Sequence, residues 1–155
     1  MEDRPWYDDV TIPALLRHAR DTYGKAMRAA LEEAGYDDIP GNGLYIIGGL
    51  ALDDRDIPLR QLVKELGITK QGAGQLVDSL VMRGYLSRVV DKNDRRQLTI
   101  ALSERGRAAA EVQRQARERI DEELTNKIGK EDVRATRRAL GTLIDMRREK
   151  GELAN

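Results

Sequence analysis

Apolar residues recur at helical spacing along most of the chain, and one short region alternates with the period of two expected of strands. Thr11-Ile12-Pro13 reads as an N-cap followed by an early-turn proline, after which Leu15, Leu16, Ala19, Tyr23, Ala26, Met27, Ala30 and Leu31 repeat on one face. This pattern predicts a long first helix over about 12–34, ended by Gly35. Leu44, Ile47, Leu50 and Ala51 predict a shorter helix at about 42–52. Its Gly48-Gly49 pair lowers helix propensity and points to close packing of another element.

Ile57-Pro58-Leu59 is a short extended piece, and Leu59, Leu62, Val63 and Leu66 form the buried stripe of a helix at about 59–66. Gly67 supplies a turn, Ile68 anchors it, and Thr69 caps a helix of about 70–83 with Ala73, Leu76, Val77 and Leu80 facing inward. Gly84 ends that helix. Tyr85 to Val90 and Leu98 to Leu102 alternate as two strands around the polar tip Asp91-Lys92-Asn93-Asp94-Arg95-Arg96. A helix from Ser103 to Thr125 or Lys127 follows, with Ala109, Val112, Ala116, Ile120 and Leu124 on one face. A last helix of about 130–149 carries Val133, Leu140, Leu143, Ile144 and Met146.

A helix-turn-helix followed by a basic-tipped hairpin is a winged helix, which offers one element to the major groove of duplex DNA and another to the minor groove. The expected fold is therefore mostly α with a small β-wing: a winged helix-turn-helix domain at 35–102, flanked by dimerisation helices at 1–34 and 103–155. The apolar stripes of the terminal helices need covering, which antiparallel pairing and a second subunit would supply.

Composition narrows the alternatives. No apolar run in the 155 residues approaches the roughly 20 needed to cross a bilayer, so no membrane role is expected. Met1-Glu2-Asp3-Arg4-Pro5-Trp6 lacks the basic start and apolar stretch of an export signal, which leads to the expectation of a cytoplasmic protein. Cysteine is absent and histidine is limited to His18, which argues against disulfides, thiolate chemistry and metal centres. No phosphate loop, His-Glu metal spacing or Ser-His-Asp arrangement suggests catalysis, and no cofactor is expected. The net charge of zero hides an uneven distribution. Residues 1–54 carry 5 basic and 11 acidic side chains, whereas 55–107 carry 11 basic and 6 acidic. The positive excess falls on the winged segment, where phosphates would need neutralising. A neutral or acidic face would instead suit a winged-helix protein-interaction module, the competing reading alongside an architectural DNA-binding role.

The exposed positions of the second helix are Lys70, Gln71, Gly74, Gln75 and Asp78. Lysine can meet phosphate or guanine acceptors, and glutamine can pair with adenine. At the hairpin tip Lys92, Arg95 and Arg96 lie beside Asp91 and Asp94, so that an arginine could extend into a narrow minor groove with Asp94 fixing its geometry.

The stretch Leu76-Val77-Asp78-Ser79-Leu80, the exit Arg83-Gly84-Tyr85-Leu86-Ser87-Arg88, and the run Asp91-Lys92-Asn93-Asp94-Arg95-Arg96 leading to Leu102-Ser103-Glu104-Arg105-Gly106 resemble the MarR family of bacterial transcriptional regulators. The last run is similar to that family's Asp-x-x-Asp-x-Arg wing and its Leu-Thr/Ser-x-x-Gly lead into a long helix. The resemblance implies a homodimer reading the half-sites of a pseudo-palindromic operator in double-stranded DNA, with repression relieved by a small aromatic or phenolic effector. It implies DNA contacts from Thr69, Lys70, Gln71, Gln75 and Arg88, with Arg96 in the minor groove, Asp94 positioning it and Arg95 flanking. Gly72 and Gly74 depart from the side chains usual in the family. An effector pocket between the first helices and the winged lobe would draw on His18, Tyr23, Met27, Tyr45 and Gly48.

Overall fold

The computed structural model describes residues 3–53, 57–58, 64, 67–90, 93 and 98–150. A 3₁₀ turn at Trp6–Asp9 precedes α1 (Ile12–Glu33) and α2 (Gly43–Asp53), followed by the two-residue strand β1 (Ile57–Pro58). Then come α3 (Lys70–Met82), β2 (Leu86–Val90), β3 (Leu98–Leu102), α4 (Glu104–Ile128) and α5 (Lys130–Glu149). The predicted helix at 59–66 and all of the predicted hairpin tip except Asn93 lie outside the described residues, apart from Lys64. Among the described residues no helix is long and apolar enough to cross a membrane.

The chain divides into two compact units, Met1–Arg117 and Glu118–Asn155. The division falls inside α4, so the first half of that helix belongs with the winged body and not with the C-terminal segment. In the first unit β3 is the central strand of a three-stranded antiparallel sheet ordered β1-β3-β2. Leu86 pairs with Leu102, Arg88 with Ile100 and Val90 with Leu98 in the hairpin. Ile57, on the other side, pairs with Ile100. The extended piece expected at Ile57-Pro58 is thus a third strand, and it leaves β2 as the exposed edge of the wing.

The core of this unit is built from one face of each element. Met27 and Leu31 of α1, Leu44, Ile46, Ile47 and Leu50 of α2, Val77 and Leu80 of α3, Tyr85, Leu86, Ile100 and Leu102 of the hairpin, and Ala109, Ala110 and Ala116 of α4 are all buried. Small residues on α4 let its backbone come close to its neighbours, and the limit is reached at Gly106. A Cβ there would overlap the carbonyl oxygen of Tyr85, which itself accepts the Ser103 amide at 3.0 Å. Ser103 caps the helix in turn, its Oγ accepting the Gly106 amide at 3.0 Å. The Leu-Ser-x-x-Gly run is therefore a packing motif: it caps α4 and lets the helix start against the root of the wing.

Candidate nucleic-acid interface

Two glycine-marked ends frame the second helix of the expected motif. Thr69 has extended backbone geometry and its Oγ1 accepts the Gly72 amide at 3.0 Å, closing the N-terminus of α3. At the other end Gly84 takes a φ of +83°, which allows the Tyr85 amide to reach back to the Leu80 carbonyl at 2.9 Å. Between them Ala73, Val77 and Leu80 are buried, while Lys70, Gln71, Gln75, Asp78 and Met82 are exposed. Gln71, Gln75, Asp78 and Met82 are spaced by four, three and four residues, so they form one continuous stripe on the outer face. Lys70 stands at its N-terminal edge, where helix N–H groups also favour an anion such as phosphate.

Gly72 and Gly74 play different parts. A side chain at Gly72 would crowd the Thr69 hydroxyl that caps the helix, so that glycine protects the cap. Gly74 faces open space, leaving backbone uncovered beside Gln71 and Gln75.

Of the expected hairpin contacts, Arg88 is on β2 and is ion-paired with Asp78 of α3. Both side chains are about half exposed, so the pair adds little stability. Its effect is geometric: the guanidinium is held beside the outer stripe of α3 and the Asp78 carboxylate is neutralised there. Asp94, Arg95 and Arg96 lie outside the described residues. The Asp78–Arg88 pairing was not visible from the sequence, although the two residues have the spacing of helix exit and first strand.

The residues expected around an effector do not gather into one pocket. His18 is exposed on α1; Met27 is buried and Tyr23 half-buried in the core. Tyr45 is half-buried with the Arg20 guanidinium 4.1 Å above its ring. Gly48 does line a cleft, of about 230 Å³, together with Ala51, Leu52, Leu102, Arg107, Ala110, Glu111, Arg114 and Arg117. The opposite wall is the first half of α4, where Arg107, Glu111 and Arg114 follow each other at four and three residues. Glu111 is held by Arg114 in a two-pronged ion pair of 2.8 and 2.6 Å and by Gln115 at 3.1 Å. Those hydrogen bonds, the arginine's first, pull its carboxyl down to about 2.

Beside the cleft Gln113 is buried, its Oε1 close to Gly48 and its Nε2 without a hydrogen-bond partner among the described residues. This explains half of the Gly48-Gly49 pair: Gly48 admits the Gln113 side chain, whereas Gly49 faces open space. A glutamine among Ala109, Ala110 and Ala116 on one helix face was the available sequence signal for this spot.

A second polar cluster sits at the root of the wing. Tyr85 donates its hydroxyl to Asp38 Oδ1 in the loop between α1 and α2. Arg105, in the first turn of α4, donates from Nη2 to the same oxygen at 3.2 Å and to the Tyr85 hydroxyl at 3.0 Å. The hydrogen bond from Tyr85 and the charge of Arg105 hold the Asp38 carboxyl below its ordinary 3.8, while burial and then the Asp38 contact push Tyr85 above its ordinary 10.0.

A helix with a capped outer stripe, followed at once by an antiparallel hairpin and a return helix, defines a winged-helix protein. The sequence profile of the MarR family matches residues 38–97, from Asp38 through the wing. Solved structures agree on the fold over most of the chain. A MepR mutant from a multidrug-resistant S. aureus clinical isolate superposes with a TM-score of 0.71 at 19% identity, over 89% of this chain and 98% of that one. Streptococcus pneumoniae FabT in complex with DNA gives 0.72 at 18% identity, over 90% and 99%. NadR in complex with 4-hydroxyphenylacetate gives 0.70 at 20%, over 92% and 97%. No curated protein sequence matches the chain. Residues 38–97 thus match the MarR family, and the chain shares the fold of these solved structures.

Proposed function

We propose that the protein is a sequence-specific transcriptional regulator that binds double-stranded DNA as a homodimer in the bacterial cytoplasm. In this reading it represses from a pseudo-palindromic operator and is released by a small effector. The observation that carries the reading is the outer stripe of α3, polar and exposed from Lys70 to Asp78, set directly beside a hairpin in the basic segment of the chain. Lys70, Gln71 and Gln75 enter the major groove, with the Thr69 hydroxyl at its edge. Arg88 lies at the base of the wing, and Asp94, Arg95 and Arg96 carry the minor-groove contact. The DNA complex of FabT, a protein of the same fold, supports this assignment.

Two-fold operator symmetry requires a second subunit, and the apolar residues left exposed on α5 suit one: Leu140, Leu143, Ile144 and Met146. The cleft at Gly48 suits an effector with an apolar body and an anionic group. Leu52, Leu102 and Ala110 supply the apolar wall, and Arg107 and Arg117 the charge, beside the Arg114–Glu111 pair. An aromatic or phenolic carboxylate fits that description, and the NadR complex with 4-hydroxyphenylacetate is consistent with it. Of the five residues expected from sequence, Gly48 alone belongs to this proposal.

Arg96→Ala tests the reading. It is expected to weaken binding to the preferred duplex while leaving the oligomeric state unchanged, and an unchanged binding isotherm would count against the wing. Lys70→Ala is expected to lower the slope of log K against log salt by about one if Lys70 meets a phosphate.

A further inference from the structure

The two ends of the wing converge on a single carboxylate. Tyr85, fully buried, joins the end of α3 to β2, and Arg105 follows β3 in the first turn of α4. Both side chains hydrogen-bond to Asp38 Oδ1 and to each other. Arg83, one residue past the end of α3, donates to the Asp38 backbone carbonyl at 2.9 Å and to Ser79 Oγ at 3.1 Å. The Arg105 guanidinium lies 4.7 Å from the Tyr85 ring and 5.6 Å from that of Tyr36, and those two rings meet edge to face at 6.2 Å. One loop residue is thereby tied to the exit of the DNA-facing helix and to both ends of the hairpin.

The chemistry makes Asp38 the hinge of this cluster. Its oxygen is the shared acceptor; without it Tyr85 keeps a buried hydroxyl that has lost its acceptor, and Arg105 loses the charge that orients it. The apolar core around Met27, Leu44 and Leu80 does not pass through Asp38, a half-buried loop residue.

We propose that Asp38 is a positioning residue for DNA reading: through Tyr85, Arg105 and Arg83 it locks the wing to α3, so that both elements meet DNA as one rigid surface. This rests on the DNA-binding reading above. The test compares wild type, Asp38→Ala, Asp38→Asn and Tyr85→Phe by amide hydrogen exchange of the free protein. Each is also tested by anisotropy on a duplex enriched from a random pool and on an unselected duplex. Asp38→Ala and Tyr85→Phe are expected to speed exchange in β2 and β3 by about tenfold while α1 and α2 keep wild-type protection. The ratio of selected to unselected affinity falls by a similar factor, roughly tenfold. Asp38→Asn, which keeps an acceptor oxygen but not the charge, recovers part of both.

Wild-type exchange in the hairpin of both variants would overturn the proposal, as would an equal acceleration throughout the unit. So would a faster hairpin whose affinity ratio is unchanged. Because exchange needs no DNA, a wild-type protein that selects no duplex overturns the functional reading, while the exchange data still decide whether Asp38 locks the wing.

Discussion

Helices α3 and α5 are both amphipathic, yet they end in opposite states. The apolar stripe of α3 is closed inside its own unit, with Ala73, Val77 and Leu80 at most 1% exposed. That of α5 is open, with Leu140, Leu143, Ile144 and Met146 between 38% and 51% exposed. The difference separates two kinds of amphipathic helix. In α3 the apolar side is taken up by the fold, and what remains outside is polar from Lys70 to Asp78, with Met82 exposed at its C-terminal end. In α5 the apolar side itself is what remains outside, the surface that the proposed second subunit would cover.

The largest expected effect breaks the first side of this comparison. Gly106→Ala puts a methyl group into the Tyr85 carbonyl and should destabilise the winged unit by about 3 kcal/mol. That corresponds to a thermal midpoint lower by roughly 10 °C in a chain of this size. A midpoint within a degree or two of wild type would mean that α4 does not start against the wing. The matching change on the other side is the double variant Leu143→Glu with Ile144→Glu. Sedimentation velocity should show a folded monomer in place of a dimer, and a dimer of wild-type stability would move the interface elsewhere.

Smaller effects sharpen the picture. Thr69→Ala removes the acceptor of the Gly72 amide and should cost about 1 kcal/mol in chemical denaturation, with the slope against denaturant unchanged. The least is expected from acid. Asp38 titrates below its ordinary 3.8 when folded, so its contribution is present above that pH and lost as pH falls through the lowered value. The difference in thermal midpoint between wild type and Asp38→Ala should therefore shrink below about pH 4. A difference that persists unchanged into strong acid would show that the carboxylate's charge is not what Asp38 contributes.

What could be read in the sequence follows from how local each feature is. The cap at Thr69, the stop at Gly84, the alternation from Leu86 to Val90 and the stripe from Val133 to Met146 are each set within a few residues. The predicted boundaries accordingly fall within a residue or two of those observed, only the alternative end of α4 at Thr125 being three residues short. Ile57-Pro58 was legible as extended but not as a strand, because its partner Ile100 is far along the chain. The cluster of Asp38, Tyr85 and Arg105 was illegible for the same reason: its members come from three elements, and nothing near any one of them announces the others. The cleft arginines were half legible. Arg107 and Arg114 stand seven residues apart and so share a helix face, but that the face looks toward Gly48 is decided by packing.

Whether the outer stripe of α3 and the wing read DNA, as proposed, is decided by fluorescence anisotropy. The purified protein is titrated onto labelled DNA from upstream of its own coding region and onto an unrelated fragment of equal length, each at two salt concentrations. Tighter binding to the upstream fragment is expected, weakening steeply as salt rises, with loss of that preference in Arg96→Ala. Failure to bind either fragment at low salt would contradict it.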